Sequence, residues 1–316
     1  SLQDKFGEPE RIKTFLRSAI LRIRRQGKTD KYEYPYTLIN PHELSPAPVG
    51  LEEMFLVGES WKEPGGKKPI ALLVGFNDWK FGFVADFLSD YRCAFAPMKK
   101  NYFFFAGVIR AMIEKPKIVY IWGYNEPYFL LSYLKKKNIA YARVEDGFVR
   151  SAQLGAIHTT PYSLVFDYSG VLHYDHSAQT DLEDVLNHYD FQSNPKLLQQ
   201  AEELISLLCR LGISKYNPPL TTENDPFKKF TGKKRVAVIG QVDKDMSMRK
   251  GNVDGWTMED IIEIAAFENP TSEIIYRPHP EIYKGLHKSK TRLSRVQKIC
   301  RLASPEEGLP QFLDGI

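Results

Sequence analysis

From Pro69 onward the chain alternates short apolar runs with longer amphipathic ones. Residues 70–74, 118–122, 139–144 and 164–166 are mostly apolar or β-branched over strand lengths, which predicts strands buried on both faces. Between them, residues 80–89, 102–114 and 128–136 carry apolar side chains at helical spacing. Strands that alternate with helices in this way predict βαβ units and a parallel sheet. A longer helix is predicted over 195–211, and a second α/β series follows. It comprises a strand at 235–240, a helix at 257–267, a strand at 273–277 and a strand within 298–303.

The fold class expected is therefore α/β with two Rossmann-like lobes. Residues 1–50 form an N-terminal helix and a Pro/Tyr-rich arm, 51–216 a first lobe, 217–234 a linker, and 235–316 a second lobe. Tyr and Pro recur from Tyr32 to Pro48, predicting an extended linker or an arm lying over a domain. The linker is assigned because 217–234 is rich in proline, lysine and polar residues without periodicity. Only about three strands are visible in the second lobe, whereas such lobes usually have five or six, so this lobe is expected either to be incomplete at its C-terminal end or to be unusually small.

Composition changes this picture little. A chain of 316 residues with 43% hydrophobic and 26% charged content is long enough for two cores and excludes disorder or a fibrous repeat. Part of the net charge of +4 sits in one stretch containing Arg11, Lys13, Arg17, Arg22, Arg24 and Arg25. Ile12, Phe15, Leu16, Ile20 and Ile23 fall there at roughly helical spacing, which predicts an amphipathic helix with a basic face. A solvated surface helix is the plainest reading; contact of residues 11–25 with an anionic membrane surface is the functional alternative. No recognition motif accompanies the charge, so nucleic acid is not expected as a partner. Cys93, Cys209 and Cys300 are widely separated and flanked by apolar residues, predicting buried thiols. With no long apolar run and a charged N-terminus, the expected location is the cytoplasm, or the inner face of the cytoplasmic membrane.

Ligands of doubly wound sheets bind beyond the carboxyl ends of the strands, so the residues just after strands carry the candidate chemistry. In Arg143-Val144-Glu145-Asp146-Gly147-Phe148-Val149-Arg150-Ser151 a strand runs into adjacent carboxylates, a glycine and an arginine. Glu145 and Asp146 project differently, so one can act as acid/base while the other holds the turn or pairs with Arg150. A salt-bridged turn explains the same residues. In Gly240-Gln241-Val242-Asp243-Lys244-Asp245-Met246-Ser247, carboxylates and a cation follow a strand. A donor loop with one catalytic aspartate, a plain loop, and a divalent metal on Asp243 and Asp245 are all open there, the metal resting on only two ligands. In Tyr276-Arg277-Pro278-His279-Pro280-Glu281, prolines fix the backbone around a histidine, and Arg277 adds a fork for the same anion. A structural histidine is the alternative.

Three motif groups, taken in order, carry a family resemblance: first Glu145 to Ser151, then Leu154-Gly155-Ala156, Ser163 to Asp167, Gly170 and Tyr174-Asp175; next Gln241-Val242, Asp245 and Ser247; finally Arg277-Pro278-His279-Pro280. The chain resembles the bacterial capsule-polysaccharide β-Kdo transferases of the KpsC type over roughly 69–285. That resemblance implies a GT-B-like pair of lobes using CMP-Kdo, with retention of configuration. It implies Asp245 as nucleophile and Glu145 or Asp146, from the opposite lobe, as acid/base. Gln241, Lys244, Ser247, Arg277 and His279 would bind the donor, and Arg150 and Ser151 would lie on the acceptor side. CMP departs as a monophosphate, so no metal or other cofactor is implied. The acceptor would be a lipid-linked or polymeric glycan in capsule or surface polysaccharide biosynthesis. A non-catalytic glycan-binding or assembly subunit, and a transferase for another CMP-linked acidic sugar, are the competing readings.

Overall fold

A computed structural model describes residues 34–45, 47–63, 68–151, 158–217, 234–303, 308–314 and 316. The basic stretch 11–25, the Leu154-Gly155-Ala156 motif and most of the expected linker lie outside the described residues. The architecture is mixed α/β, with ten strands in a sheet of seven and a sheet of three among the described residues. In chain order they are β1 (Leu38–Ile39), β2 (Phe55–Val57), β3 (Ile70–Val74), α1 (Phe81–Phe87), β4 (Arg92–Phe95), α2 (Tyr102–Ala111), β5 (Ile118–Trp122), α3 (Leu130–Lys137), β6 (Ala140–Asp146) and β7 (Leu164–Asp167). There follow α4 (Asp181–His188), α5 (Pro195–Leu211), β8 (Arg235–Ile239), α6 (Met246–Gly251), α7 (Met258–Glu268), β9 (Glu273–Arg277), α8 (Pro280–Tyr283), α9 (Leu293–Val296), β10 (Arg301–Leu302) and α10 (Leu309–Asp314).

The chain divides into two compact units, one of residues 1–146 and 164–172, the other of 147–163 and 173–316. The division thus falls elsewhere than in 217–234: residues 173–216 and the excursion between β6 and β7 go with the second unit. In the first unit the strand order is β1-β2-β4-β3-β5-β6-β7. The four central strands β4, β3, β5 and β6 run parallel, while β1, β2 and β7 add antiparallel edges. The all-parallel expectation therefore fails at the edges, and β7 is half-buried because one of its sides has no neighbouring strand among the described residues. Alternate side chains of the central strands enter opposite cores. Ile70, Leu72, Val119 and Ile121 pack with Phe105, Ile109, Leu130 and Leu134 of α2 and α3. Leu73, Tyr120 and Trp122 pack with Phe81, Phe83 and Val84 of α1. Helices on both faces explain why β3 and β5 are apolar at every position.

The Pro/Tyr-rich arm is part of this unit rather than a separate segment. β1 pairs with β2, and Tyr34 and Tyr36 press so closely on Gly82 that a Cβ there would come within 2.8 Å of the Tyr34 ring. In the second unit β8, β9 and β10 form a parallel sheet in the order β10-β9-β8. Val238, Ile274 and Tyr276 pack on Met258 and Ile262 of α7, while Ile275, Ala303 and Phe312 form a smaller cluster. Cys93 and Cys300 are buried as expected, and burial pushes the Cys93 thiol up to about 12. Cys209 is exposed, contrary to expectation, because α5 buries no residue against the sheet. Among the described residues no helix is long and apolar enough to cross a membrane.

Candidate active site

The parallel strands of the first unit deliver their carboxyl ends to one edge, where β6 ends in Glu145 and Asp146. Both are still paired to β7, Glu145 opposite Val165 and Asp146 opposite Leu164, so they project to opposite faces of the sheet. Both are half-buried, and the Asp146 N–H donates to Glu145 Oε1 at 3.0 Å. Glu145 lies over the turn after β5: a Cβ on Gly123, whose φ is +55°, would come 3.4 Å from Glu145 Oε2. Two residues earlier on the same face, buried Arg143 braces this edge. It makes a two-pronged pair with Glu126 at 2.7 and 3.0 Å and donates to the carbonyls of Gly123 and Gly170 at 2.7 and 2.6 Å. Arg143 opened the sequence motif but was given no role there. A buried arginine with fixed acceptors positions both loops beside the carboxylates.

In the second unit β8 and β9 end side by side, and Gly240 N–H donates to the Arg277 carbonyl at 2.8 Å. A Cβ on Gly240 would come 2.8 Å from the Tyr276 hydroxyl, so glycine is what lets the strand ends close up. Beyond Gly240, Asp245 caps α6. Its Oδ1 accepts from Ser247 N–H at 2.8 Å and from Ser247 Oγ at 2.7 Å, which leaves Oδ2 without a hydrogen-bond partner among the described residues. Gln241 Nε2 reaches Ser247 Oγ at 3.3 Å, so Gln241, Ser247 and Asp245 form one chain of polar contacts. Lys244 is exposed beside them. Asp243 faces a different partner, accepting from Lys290 N–H at 2.6 Å. The Asp-x-Asp pair is thus committed to two separate turns, and among the described residues no group of three or more His, Cys, Asp and Glu is placed to hold a metal ion.

His279 caps α8 through Nδ1, which accepts from Glu281 N–H at 3.2 Å. That bond fixes the tautomer of the neutral ring and leaves Nε2–H as a donor. Burial holds the imidazole below its ordinary value; Glu281 and Asp245 oppose the shift, and Lys215 and Arg277 reinforce it. His279 thus lies within electrostatic reach of Asp245 and Arg277, two of the residues singled out in the sequence, and also of Lys215, which was not. Arg277 itself is buried, its guanidinium 5.8 Å from the Phe312 ring.

Lys215 had no motif to reveal it; its position depends on the excursion 147–163. The Lys215 carbonyl accepts from the N–H groups of Arg150 and Ser151 at 3.0 and 3.2 Å, and Ser151 bridges Tyr216 in strand fashion. Asn217 locks the turn, donating to the carbonyls of Ser151 and Ser214 at 3.2 and 2.8 Å and accepting from Ser214 N–H at 2.7 Å. Arg150 and Ser151, expected on the acceptor side, instead lie fully buried in the second unit. Arg150 donates to Ser151 Oγ and to the Thr159 carbonyl, both at 2.8 Å, so its charge holds the excursion together from within. The Tyr174-Asp175 motif has a similar supporting place. Buried Asp175 accepts from Lys250 at 3.3 Å, and Gly251 lies so close to Tyr174 that a Cβ would come 2.9 Å from its carbonyl oxygen, which anchors the far end of α6 from Asp245.

Comparison with known proteins gives the family of the chain. The sequence profile of a family described as capsule polysaccharide biosynthesis protein matches residues 117–299, a span that takes in β6, Asp245 and His279. The chain belongs to that family. It is 33% identical over 279 residues to the lipopolysaccharide-processing protein LpsZ of Rhizobium meliloti, covering 87% of this chain and 62% of LpsZ. It is 28% identical over 212 residues to the capsule polysaccharide modification protein LipA of Neisseria meningitidis, covering 67% of this chain and 29% of LipA. This family member thus spans less than two thirds of the length of either relative. Among solved structures it is similar to the β-Kdo 2,4 transferase of Thermosulfurimonas dismutans KpsC, with a TM-score of 0.60 and 27% identity over 77% of this chain and 71% of that one. The β-Kdo 2,7 transferase of the same KpsC shares the fold, with a TM-score of 0.51 and 24% identity over 74% of this chain and 66% of that one.

Proposed function

We propose that this chain is a glycosyltransferase of capsule or surface polysaccharide assembly, which moves Kdo from CMP-Kdo to a glycan or glycolipid acceptor with retention of configuration. The observation that carries this reading is that half-buried His279 lies within electrostatic reach of Arg277, Lys215 and Asp245, the last an exposed carboxylate held through one oxygen by Ser247. Its likeness to a β-Kdo transferase structure supports the same chemistry. In this scheme the two compact units are the Rossmann-type lobes of a GT-B enzyme. Nε2–H of His279 and the cations of Arg277 and Lys215 bind the CMP phosphate, and Lys244, Gln241 and Ser247 border the donor.

Retention follows from two displacements. Asp245 Oδ2 attacks the anomeric carbon, and CMP leaves with the electrons of the broken bond. Ser247 holds Oδ1, so the attacking oxygen is kept in one orientation. The acceptor hydroxyl then attacks the same carbon from the face CMP vacated, Asp245 departs as carboxylate, and the hydroxyl proton passes to Glu145 or Asp146. CMP is released as a monophosphate, and the scheme uses no metal. The test is turnover of CMP-Kdo, read as CMP release, with intact-mass detection of a Kdo adduct and NMR of the product's anomeric configuration. Retained configuration with an adduct on Asp245 is expected. CMP binding without turnover or adduct would make the chain a glycan-binding or assembly component instead.

A further inference from the structure

We infer that the α2 side of the first unit is a docking surface for a bilayer bearing anionic headgroups. Phe103 on α2 is 80% exposed and Tyr128, in the turn before α3, is 96% exposed. They belong to one aromatic patch. The Tyr102 ring lies 5.8 Å from Phe103, 5.4 Å from Phe129 and 5.5 Å from Tyr133, and Phe129 lies 5.6 Å from Tyr128. Met98 extends the exposed apolar surface just before the helix. The inner face of α2 is already occupied, with Phe105, Ala106, Val108 and Ile109 in the core; Tyr102 and Phe129 link the patch to that core, while Phe103 and Tyr128 stand outside it.

The charge around this patch has one sign. Residues 91–113 contain no Asp or Glu but include Arg92, Lys99, Lys100 and Arg110. Arg110 falls on the same helical face as Phe103, and between them Gly107 opens to solvent, with no atom near where a Cβ would sit. α3 adds Lys135, Lys136 and Lys137, all exposed, in the turn beyond Tyr133. The nearby carboxylates are consumed: Glu126 by Arg143, Glu53 by Lys100 and Glu114 by Arg92. Lys100 and Arg92 are thereby paired as well, which leaves Lys99, Arg110 and Lys135 to Lys137 as the exposed cations beside the aromatics; that combination matches a lipid interface, where rings settle at the headgroup level and cations meet anionic lipid.

The test is flotation of the full chain with vesicles of phosphatidylcholine containing phosphatidylglycerol, beside vesicles of phosphatidylcholine alone, with hydrogen exchange read on the same samples. Protection over 98–113 and 124–129 is expected only with phosphatidylglycerol. Phe103→Ser with Tyr128→Ser, and separately Lys99→Glu with Arg110→Glu, should each lower partition by about tenfold or more. Unchanged partition in both variants, or protection confined to other segments, overturns the proposal. Protection of these same peptides by a soluble acidic oligosaccharide, without vesicle binding, would assign the surface to glycan and overturn it too. The exchange map is read on unmodified protein, so it decides even if a variant folds poorly.

Discussion

β3 and β5 of the first unit bury every side chain, whereas in β8 of the second unit only Val238 is buried and Ile239 is 49% exposed. The carboxylates Glu145 and Asp146 therefore ride on the end of a strand fixed by two apolar cores. Asp245 and His279 instead sit on short helices and turns, held by polar contacts: Ser247 on Asp245, Glu281 N–H on His279, Arg150 and Asn217 around Lys215. A thick sheet positions groups through packing, which tolerates polar change at its rim. A thin one positions them through hydrogen bonds, each of which leaves an unsatisfied partner when removed.

The sharpest way to break this comparison is Asp245→Asn. If the second unit's network serves a nucleophile, transfer should fall by at least ~10³-fold while CMP affinity changes little, because the amide keeps the volume and the contact to Ser247 but not the attacking charge. Near-normal turnover would move the nucleophile to the first unit, with Glu145 the next carboxylate to test. Stability should separate the units next. Leu72→Ala, at a position with no exposure between two cores, should cost about 2–5 kcal/mol in urea unfolding, and Val238→Ala distinctly less. Equal losses would mean that the second sheet is as tightly packed as the first.

The anion cluster gives a smaller, more local effect. His279→Ala, Arg277→Ala and Lys215→Ala should each weaken CMP binding by about one to two decades in calorimetric titration, whereas Asp146→Asn should leave it unchanged. Wild-type affinity in the His279 variant would make the histidine a cap and nothing more. The smallest expected effect is on pH. Burial depresses His279 below its ordinary 6.5, so below that value the unfolded chain takes up the proton before the folded one. Stability that is fully present above 6.5 is then lost as pH falls toward the depressed value. The urea midpoint should drop between neutral and mildly acidic pH, and His279→Gln should flatten that drop. An unchanged slope in the variant would place the acid sensitivity elsewhere.

Much of the first unit was legible because apolar runs buried on both faces have no other solution: 70–74 and 118–122 became β3 and β5 without shift. β2 and β4 were not anticipated, since three and four residues are too few to show a period. The edges escaped for a related reason. Whether 164–167 pairs parallel or antiparallel depends on the route of the intervening chain, not on its own residues.

The sequence by itself determined the α/β class and the placement of Glu145, Asp146, Asp245 and His279 at or just beyond strand ends, because both follow from local periodicity and neighbours along the chain. Tertiary structure alone decided that Arg150 and Ser151 are buried supports within the second unit, that Arg143 is paired with Glu126, and that Lys215 lies close enough to shift His279. These are matters of charge and distance between residues far apart in sequence. A charged side chain looks the same in a list whether its guanidinium meets solvent or a ring of carbonyls, and only the folded chain supplies the partner that gives it a role.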